Sequence, residues 1–86
     1  MTYYIKTNKW ITERKGTFRR KYLQFYLAYF PISNICALII GKVSPFKTKI
    51  EARIRLKRYL LRLEKNNRKL YNSVKNCRFI IERSIR

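Results

Sequence analysis

The sequence predicts an α+β fold in which a three-stranded antiparallel sheet packs on one long helix, with a helical or extended C-terminal tail. Three runs rich in aromatic and branched residues come first, and an uninterrupted stretch of helix-forming residues follows from Lys49. A hydrophobic fraction of 47% and an aromatic fraction of 15% distinguish this basic chain from a disordered tail. We therefore expect one sheet-plus-helix domain over residues 1–66 and a basic extension over residues 67–86.

The segment before Pro31 predicts two strands joined by a short turn. Tyr3 to Thr12 is rich in β-forming residues, and Glu13–Gly16 supplies the turn. With a period of two, the segment from Thr17 to Phe30 has an apolar face, which we expect to cover the helix, and an amphipathic face. The amphipathic face consists of Arg20, Tyr22, Gln24 and Tyr26. An aromatic residue also recurs every four positions here, so a helix remains an alternative.

The aliphatic run from Ile35 to Val43 predicts the third strand, after a break at Pro31–Asn34. A membrane span competes with this interpretation, because residues 22–40 carry no charged side chain over 19 positions, the length of a transmembrane helix. Gln24 and the polar residues near the centre of that stretch oppose a span, since their insertion cost largely cancels the apolar gain.

A capping box at Thr48–Glu51 predicts the start of the helix. We expect the Thr48 side chain to accept from the backbone N–H three residues on, and Glu51 to reach back to the Thr48 amide. No Gly or Pro interrupts the chain from Lys49 to Lys65, and Asn66–Asn67 indicates the end. The helix is therefore placed at 49–66.

The predicted helix has three distinct faces. A broad apolar face around Ala52 and Leu63 should pack on the sheet. A narrow apolar face, formed by Ile50, Ile54 and Leu61, must meet the C-terminal segment or another molecule. The basic face consists of Arg55, Arg58, Arg62 and Lys65.

The C-terminal tail has an ambiguous pattern. A helix from Arg68 to about Cys77 is expected, while the alternation around Phe79 and Ile81 suits a strand equally well. The local periodicity does not decide between the two.

The composition excludes most enzyme chemistries. The chain has no His, and its 4 acidic residues are all Glu, so a general acid–base pair has almost nothing to be built from. Cys36 and Cys77 stand 41 positions apart without an imidazole, which excludes a four-ligand zinc site within the chain. We interpret them as buried thiols in a reducing compartment, with one disulfide as the alternative. We expect no enzyme activity, catalytic residue, metal, cofactor or small-molecule substrate.

The junction between the third strand and the helix carries a recognisable pattern, Gly41 and Val43 followed by Phe46-Lys47-Thr48-Lys49-Ile50-Glu51-Ala52. It resembles the sheet-to-helix junction of the plant ethylene-response-factor (APETALA-type) domain and of the arm-binding domains of phage integrases. The resemblance implies a three-stranded sheet packed on a helix over residues 3–64, with the outer face of the sheet in the DNA major groove. The family's cluster of Arg and Trp is only roughly met, by Trp10, Arg14, Arg19 and Arg20, so no base-reading residue is carried over.

Positive charge is the strongest functional signal. Lys and Arg number 22 against 4 acidic residues, which makes the net charge +18. These cations occur along the whole chain, which favours phosphate contacts on several sides, as for a small protein among rRNA helices, over one DNA-reading face. The 7 Tyr residues and Trp10 add surfaces on which unpaired bases stack.

These observations predict a structural RNA-binding protein of a ribosome, with rRNA and neighbouring ribosomal proteins as partners. A bias toward Lys, Asn, Ile, Tyr and Phe, typical of AT-rich coding sequence, favours a mitochondrial or other organellar ribosome. A DNA-binding module of the ethylene-response-factor or integrase-arm kind and a small single-span membrane-complex subunit are the alternatives. The candidate nucleic-acid-binding residues are Lys6, Lys9, Trp10, Arg14, Arg19, Arg20, Lys21, Tyr22, Arg55, Arg58, Arg62, Lys65, Arg68 and Lys69.

Overall fold

The computed structural model describes the backbone of residues 2–15 and 17–85 and the side chains of residues 2–9 and 22–85. Over these residues, the chain forms a four-stranded antiparallel sheet and two helices. The elements are β1 (Tyr3–Lys15), β2 (Thr17–Phe30), β3 (Ile35–Ile39), α1 (Lys49–Asn66), α2 (Arg68–Val74) and β4 (Phe79–Arg83). The predicted α+β class and the antiparallel sheet are confirmed, and the described sheet has one strand more than predicted.

The two long strands differ from their predicted form in detail. Thr17–Phe30 is a strand, so the helical alternative for this segment is wrong. β1 runs on to Lys15, through residues expected to form the turn, because its pairing with β2 continues from Lys6↔Tyr26 to Lys15↔Thr17. β3 ends at Ile39 rather than Val43, since its register with β2 ends at Tyr26↔Ile39.

β4 is the strand that the local pattern left undecided. It pairs antiparallel with residues 3–7 of β1 and completes the sheet order β3-β2-β1-β4. α2 ends at Val74, three residues before the predicted limit, and the Cys77 amide donates to Val74 O at 2.9 Å in the bend that follows. The bend returns the chain to the edge of β1, where β4 pairs. This pairing is long-range, so the local periodicity could not predict it.

The first two strands project beyond the rest of the sheet as a two-stranded ribbon. Within the described pairings, β4 reaches β1 at residues 3–7 and β3 reaches β2 at residues 26–30, which leaves 8–15 paired with 17–24 alone. The radius of gyration is 13.7 Å, against about 12 Å for a compact chain of this length. The ribbon accounts for this elongation.

The core lies between the helices and one face of the sheet. Its buried residues are Ile5, Leu27, Phe46, Ala52, Tyr59, Leu63 and Val74. The predicted broad face of α1 is therefore confirmed, whereas Ile50 (70% exposed), Ile54 and Leu61 (both 48%) are not covered by the C-terminal segment.

Two further predictions concern the middle of the chain. Residues 22–39 lie in β2, the following turn and β3, and Ile40 lies in the bend after β3. Among the described residues, no helix has the length and apolarity that a membrane crossing requires. Cys36 and Cys77 are half-buried free thiols rather than fully buried ones.

Candidate nucleic-acid interface

An N-terminal cap fixes where α1, the helix that carries the basic side chains, begins. Thr48 Oγ1 accepts a hydrogen bond from the Glu51 amide at 3.0 Å, as predicted. The Glu51 carboxylate, however, accepts from the amide of Lys47 at 3.1 Å rather than from that of Thr48. The expected partner was wrong by one residue, but the carboxylate still satisfies a backbone donor beside the helix start.

Arg55 is held against the sheet instead of extending along an open basic face. Its guanidinium carbon lies 4.3 Å from the centre of the Tyr29 ring, and Nη1 donates to Asn34 Oδ1 at 3.2 Å. The Tyr29 hydroxyl donates to the same oxygen at 2.7 Å. β2, the β2–β3 turn and α1 thus each supply one member of a locked group.

Asn34 can occupy its position because of its backbone conformation. Its φ is 53°, in the left-handed region that Asn tolerates better than most residues. Its amide donates to Pro31 O at 3.3 Å and closes the turn between β2 and β3. The turn thereby places the side-chain amide beside α1.

Arg58 and Arg62 follow Arg55 along α1 and line the same cleft, which has a volume of about 220 Å³. The residues that line it are Asn34, Ile35, Cys36, Arg55, Arg58, Tyr59 and Arg62. No acidic side chain is among them in the part of the chain that the structure describes. Arg58 and Arg62 are exposed and Arg55 is half-buried, and all three line the same opening.

The other titratable side chains that line the cleft, Tyr59 and Cys36, carry no negative charge at neutral pH that would offset the three Arg residues. Burial, and to a lesser extent the neighbouring Cys36 thiol, raises the pKa of Tyr59 to about 12. Burial also raises the pKa of Cys36, although Arg55 acts in the opposite direction. Both groups are therefore neutral near pH 7, and the three Arg side chains carry the charge of the cleft.

Lys65 belongs to the predicted basic face but not to the cleft. It is exposed in the last turn of α1, where a cation interacts favourably with the helix dipole. The structure therefore brings together three of the four predicted helix residues.

A second candidate surface is the open face, the side of the sheet that points away from α1. Alternation along the strands buries Ile5 and Leu27 under the helices, while Gln24 and Tyr22 (57% exposed) point to the opposite side. The predicted separation of an apolar and an amphipathic face in β2 is thus confirmed for the described side chains. Among the described side chains, the open face comprises Tyr4, Lys6, Asn8, Tyr22, Gln24, Tyr26, Ala28, Phe30, Ile35, Ala37, Ile39, Ile80 and Glu82, and Lys42 reaches it beside Tyr4.

Aromatic rings and cations lie together around Tyr4 on the open face. The rings of Tyr4 and Tyr26 have centroids 5.7 Å apart at an angle of 59°. The ammonium groups of Lys6 and Lys42 lie 5.8 and 5.4 Å from the centre of the Tyr4 ring. Gln24 donates to the Tyr26 hydroxyl at 3.0 Å. This arrangement combines stacking surfaces with positive charge.

Glu82 is an acidic residue of the open face, and each of its carboxylate oxygens has a partner. The Tyr4 hydroxyl donates to Glu82 Oε2 at 2.5 Å, and Lys6 Nζ lies 3.3 Å from Oε1. The hydrogen bond from Tyr4, followed by that from Lys6, lowers the pKa of Glu82, and the same Tyr4 bond raises the pKa of Tyr4. The carboxylate is ionised at neutral pH, but both of its oxygens already have partners.

Lys9 does not share a face with Tyr22 or Lys6. It lies on the helix side of β1, where its Nζ donates to Ser73 Oγ at 3.3 Å and sits 5.9 Å from the centre of the Phe25 ring. Alternation along β1 accounts for this separation, since Lys6 and Lys9 are an odd number of residues apart.

The other predicted residues lie on α2 and on the ribbon. Arg68 and Lys69 are exposed in the first turn of α2. The side chains of Trp10, Arg14, Arg19, Arg20 and Lys21 lie outside the described residues. Their backbones belong to the ribbon, where Trp10 pairs with Tyr22 and Thr12 with Arg20.

Several residues of the two surfaces are absent from the predicted set, notably Tyr4, Tyr29, Asn34 and Lys42. Asn34 had a usable signal, because an Asn that closes a turn beginning with Pro is a frequent left-handed residue. Tyr4 and Lys42 had none, since their proximity is a tertiary contact.

No protein-family model matches the chain, and none of the curated proteins or solved structures compared with it does either. The resemblance to the ethylene-response-factor and integrase-arm domains stays a prediction.

Proposed function

We propose that the protein is a structural RNA-binding protein of a ribosome, an organellar one by its composition, and that rRNA phosphate enters the cleft of Arg55, Arg58 and Arg62. The observation that supports this proposal is a cleft lined by three Arg residues, whose described lining offers no negative charge. Each planar guanidinium can donate two parallel hydrogen bonds to a phosphate, which Lys cannot.

The cleft is arranged for an anion in two respects. Like charges that line one cleft repel each other, and this repulsion is relieved when a phosphate binds among them. Arg55 is also held in place by Tyr29 and Asn34, so less side-chain entropy is lost when it contacts a ligand.

Cations on other surfaces support contact with RNA on several sides. Lys6 and Lys42 lie at the open face, Arg68 and Lys69 on α2, and Lys65 at the end of α1. A net charge of +18 opposes compaction of so small a chain unless a polyanion surrounds it. An rRNA environment supplies such a polyanion on every side.

Salt-dependent RNA binding tests the cleft. In the triple variant Arg55→Gln, Arg58→Gln, Arg62→Gln, the slope of log K against log salt for a structured rRNA hairpin should become shallower by about 2–3, at roughly 0.7–0.9 for each phosphate that the variant no longer neutralises. A matched control replaces the exposed α1 residues Lys49, Arg53 and Lys57 by Gln, which removes the same charge from outside the cleft. Equal slope changes in the two variants would contradict a specific role for the cleft.

Sedimentation tests the ribosomal assignment. The tagged protein should travel with ribosomal particles at moderate salt. Sequence-selective binding to duplex DNA without particle association would support the DNA-binding alternative, and extraction by detergent alone would support the membrane-subunit alternative.

A further inference from the structure

The open face of the sheet is built differently from the face that forms the core. The core side contributes aliphatic residues and half-buried aromatics that pack against α1. On the opposite side, Tyr22 and Phe30 remain 57% and 44% exposed, and Tyr26 is half-buried. Single exposed apolar residues are ordinary, but here several rings share one surface with cations.

We propose that the open face binds unpaired nucleotides of the RNA, with bases stacked on the rings of Tyr22 and Tyr26 and adjacent phosphates met by Lys6 and Lys42. The inference rests on the proposed RNA-binding function and specifies that this second surface binds unpaired rather than paired RNA. Stacking on an aromatic ring needs the flat face of a base, which a fully paired helix does not offer.

The spacing of the two rings favours an RNA segment whose bases are spread apart. Tyr22 and Tyr26 are four residues apart on one strand, which places them about 13 Å apart at ~3.3 Å per residue. That distance is roughly four times the ~3.4 Å separation of stacked bases along one strand. Each ring therefore receives a separate base, as in a loop or a single-stranded segment.

Charge favours RNA over an apolar protein surface as the occupant. Lys6 and Lys42 flank the Tyr4 ring, which packs on Tyr26, and the Glu82 carboxylate on this face already binds Tyr4 and Lys6. Since Tyr4 and Lys6 already bind the Glu82 carboxylate, an apolar partner would remove the exposed Lys42 ammonium group from water without pairing it. The phosphates that link unpaired bases would pair it.

The test compares single-stranded with duplex RNA. A uridine 12-mer and a blunt duplex of 12 base pairs are titrated against the full chain and the variant Tyr22→Leu, Tyr26→Leu. Removal of each ring should weaken binding of the 12-mer by about five-fold to a hundred-fold. Duplex binding and the salt slope should not change, because the substitution removes no charge.

The variant Tyr22→Phe, Tyr26→Phe is the matched control, since it keeps the rings and loses the hydroxyls; it should bind the 12-mer like the parent chain. Thermal unfolding checks that the Leu variant is folded, and Tyr22→Leu alone replaces it if the double change lowers stability.

Three outcomes would overturn the inference. The first is unchanged 12-mer binding by a folded Leu variant, and the second is equal weakening for 12-mer and duplex RNA. The third is a dimer of the parent chain that the Leu substitutions dissociate while RNA binding is unaffected, since a second copy would then cover the face. A failure of the proposed function looks different, because the parent chain would then bind neither RNA and the cleft variant would change nothing.

Discussion

Thr48 and Asn34 are single residues whose local roles reach the candidate site. Thr48 caps α1, the helix that carries Arg55, Arg58 and Arg62. Asn34 closes the β2–β3 turn with a left-handed backbone and accepts hydrogen bonds from Tyr29 and Arg55. Each role can be tested by one substitution, Thr48→Ala for the cap and Asn34→Gly for the side-chain hydrogen bonds.

Replacement of the cap should lower stability without changing the charge of the protein. We expect Thr48→Ala to reduce the free energy of unfolding by about 0.5–2 kcal/mol, because the Glu51 amide loses its acceptor. Thr48→Ser keeps the acceptor and should retain most of the stability. Thermal unfolding measures both, with a shift of about 4–8 °C expected for each 1 kcal/mol. An unchanged melting temperature in Thr48→Ala would contradict the cap.

Two substitutions of Asn34 separate its backbone role from its side-chain role. Asn34→Gly accepts the positive φ, so it should fold like the parent chain but leave Arg55 free to move. We expect its RNA affinity to fall about two- to ten-fold, the cost of ordering one long side chain at about 0.5–1.5 kcal/mol. Asn34→Ala should be less stable, because its Cβ disfavours this backbone conformation. RNA affinity equal to that of the parent chain in Asn34→Gly would show that Arg55 needs no such support.

Tyr59 should make the protein sensitive to alkaline pH. Its folded pKa of about 12 lies above the ordinary value of 10.0, so the folded chain keeps a proton that the unfolded chain loses between these values. The stability that the protonated Tyr59 contributes is therefore fully present below pH 10 and is lost as the pH rises toward 12, by up to about ten-fold in the folding constant per pH unit. The pH profile of denaturant unfolding should be flatter for Tyr59→Phe over this window. The control Tyr22→Phe removes an exposed phenol; parallel profiles for all three proteins would disprove the assignment.

At the scale of elements, α1 presents the narrow apolar face that the sequence predicted and leaves it uncovered. Ile50, Ile54 and Leu61 are exposed, so of the two expected occupants the C-terminal segment does not lie there. The residues are spaced along one side of the helix and contribute little to the core.

The free energy of unfolding of the variant Ile54→Ser, Leu61→Ser should therefore lie within about 1 kcal/mol of that of the parent chain, since both side chains are 48% exposed. The buried position Leu63 provides a control on the same helix, where Leu63→Ala should cost about 2–5 kcal/mol. Denaturant unfolding measures the difference. A loss for the double Ser variant as large as that for Leu63→Ala would show that the narrow face is packed.

At the scale of the whole molecule, the C-terminal segment from Arg68 onward closes the fold. Val74 is fully buried, Phe79 and Ile81 pack against the core, and Thr7 Oγ1 donates to Arg78 O at 2.7 Å. The amide of Tyr3 also bonds Phe46 O at 2.6 Å, so β1 connects the start, the middle and the end of the chain.

A chain that ends at Asn66 should consequently lose cooperative unfolding. Removal of α2 and β4 uncovers one edge of β1 and several buried side chains, each worth about 1.5–3 kcal/mol, which together rival the stability of a small domain. Thermal circular dichroism on this chain and on the full one measures the effect. A melting transition shared by both would mean that residues 1–66 are stable alone.

Local sequence determined the features that depend on neighbouring residues. The limits of α1 and its N-cap were predictable because a cap, helix-forming residues and a closing Asn pair lie within one segment. The two faces of β2 were predictable for the same reason, since period-two alternation needs no knowledge of the partner strand.

Tertiary structure alone decided the features that join distant segments. β4 pairs with β1 across more than 70 residues, and nothing in the tail's own pattern favours that strand over a helix. The helix pattern predicted Arg55 on an exposed basic face. Tyr29 and Asn34, which lie 26 and 21 positions earlier in the chain, instead hold its side chain at the cleft. Helix and strand propensities are short-range, whereas contacts of this kind depend on the relative positions of elements, which only the packed core establishes.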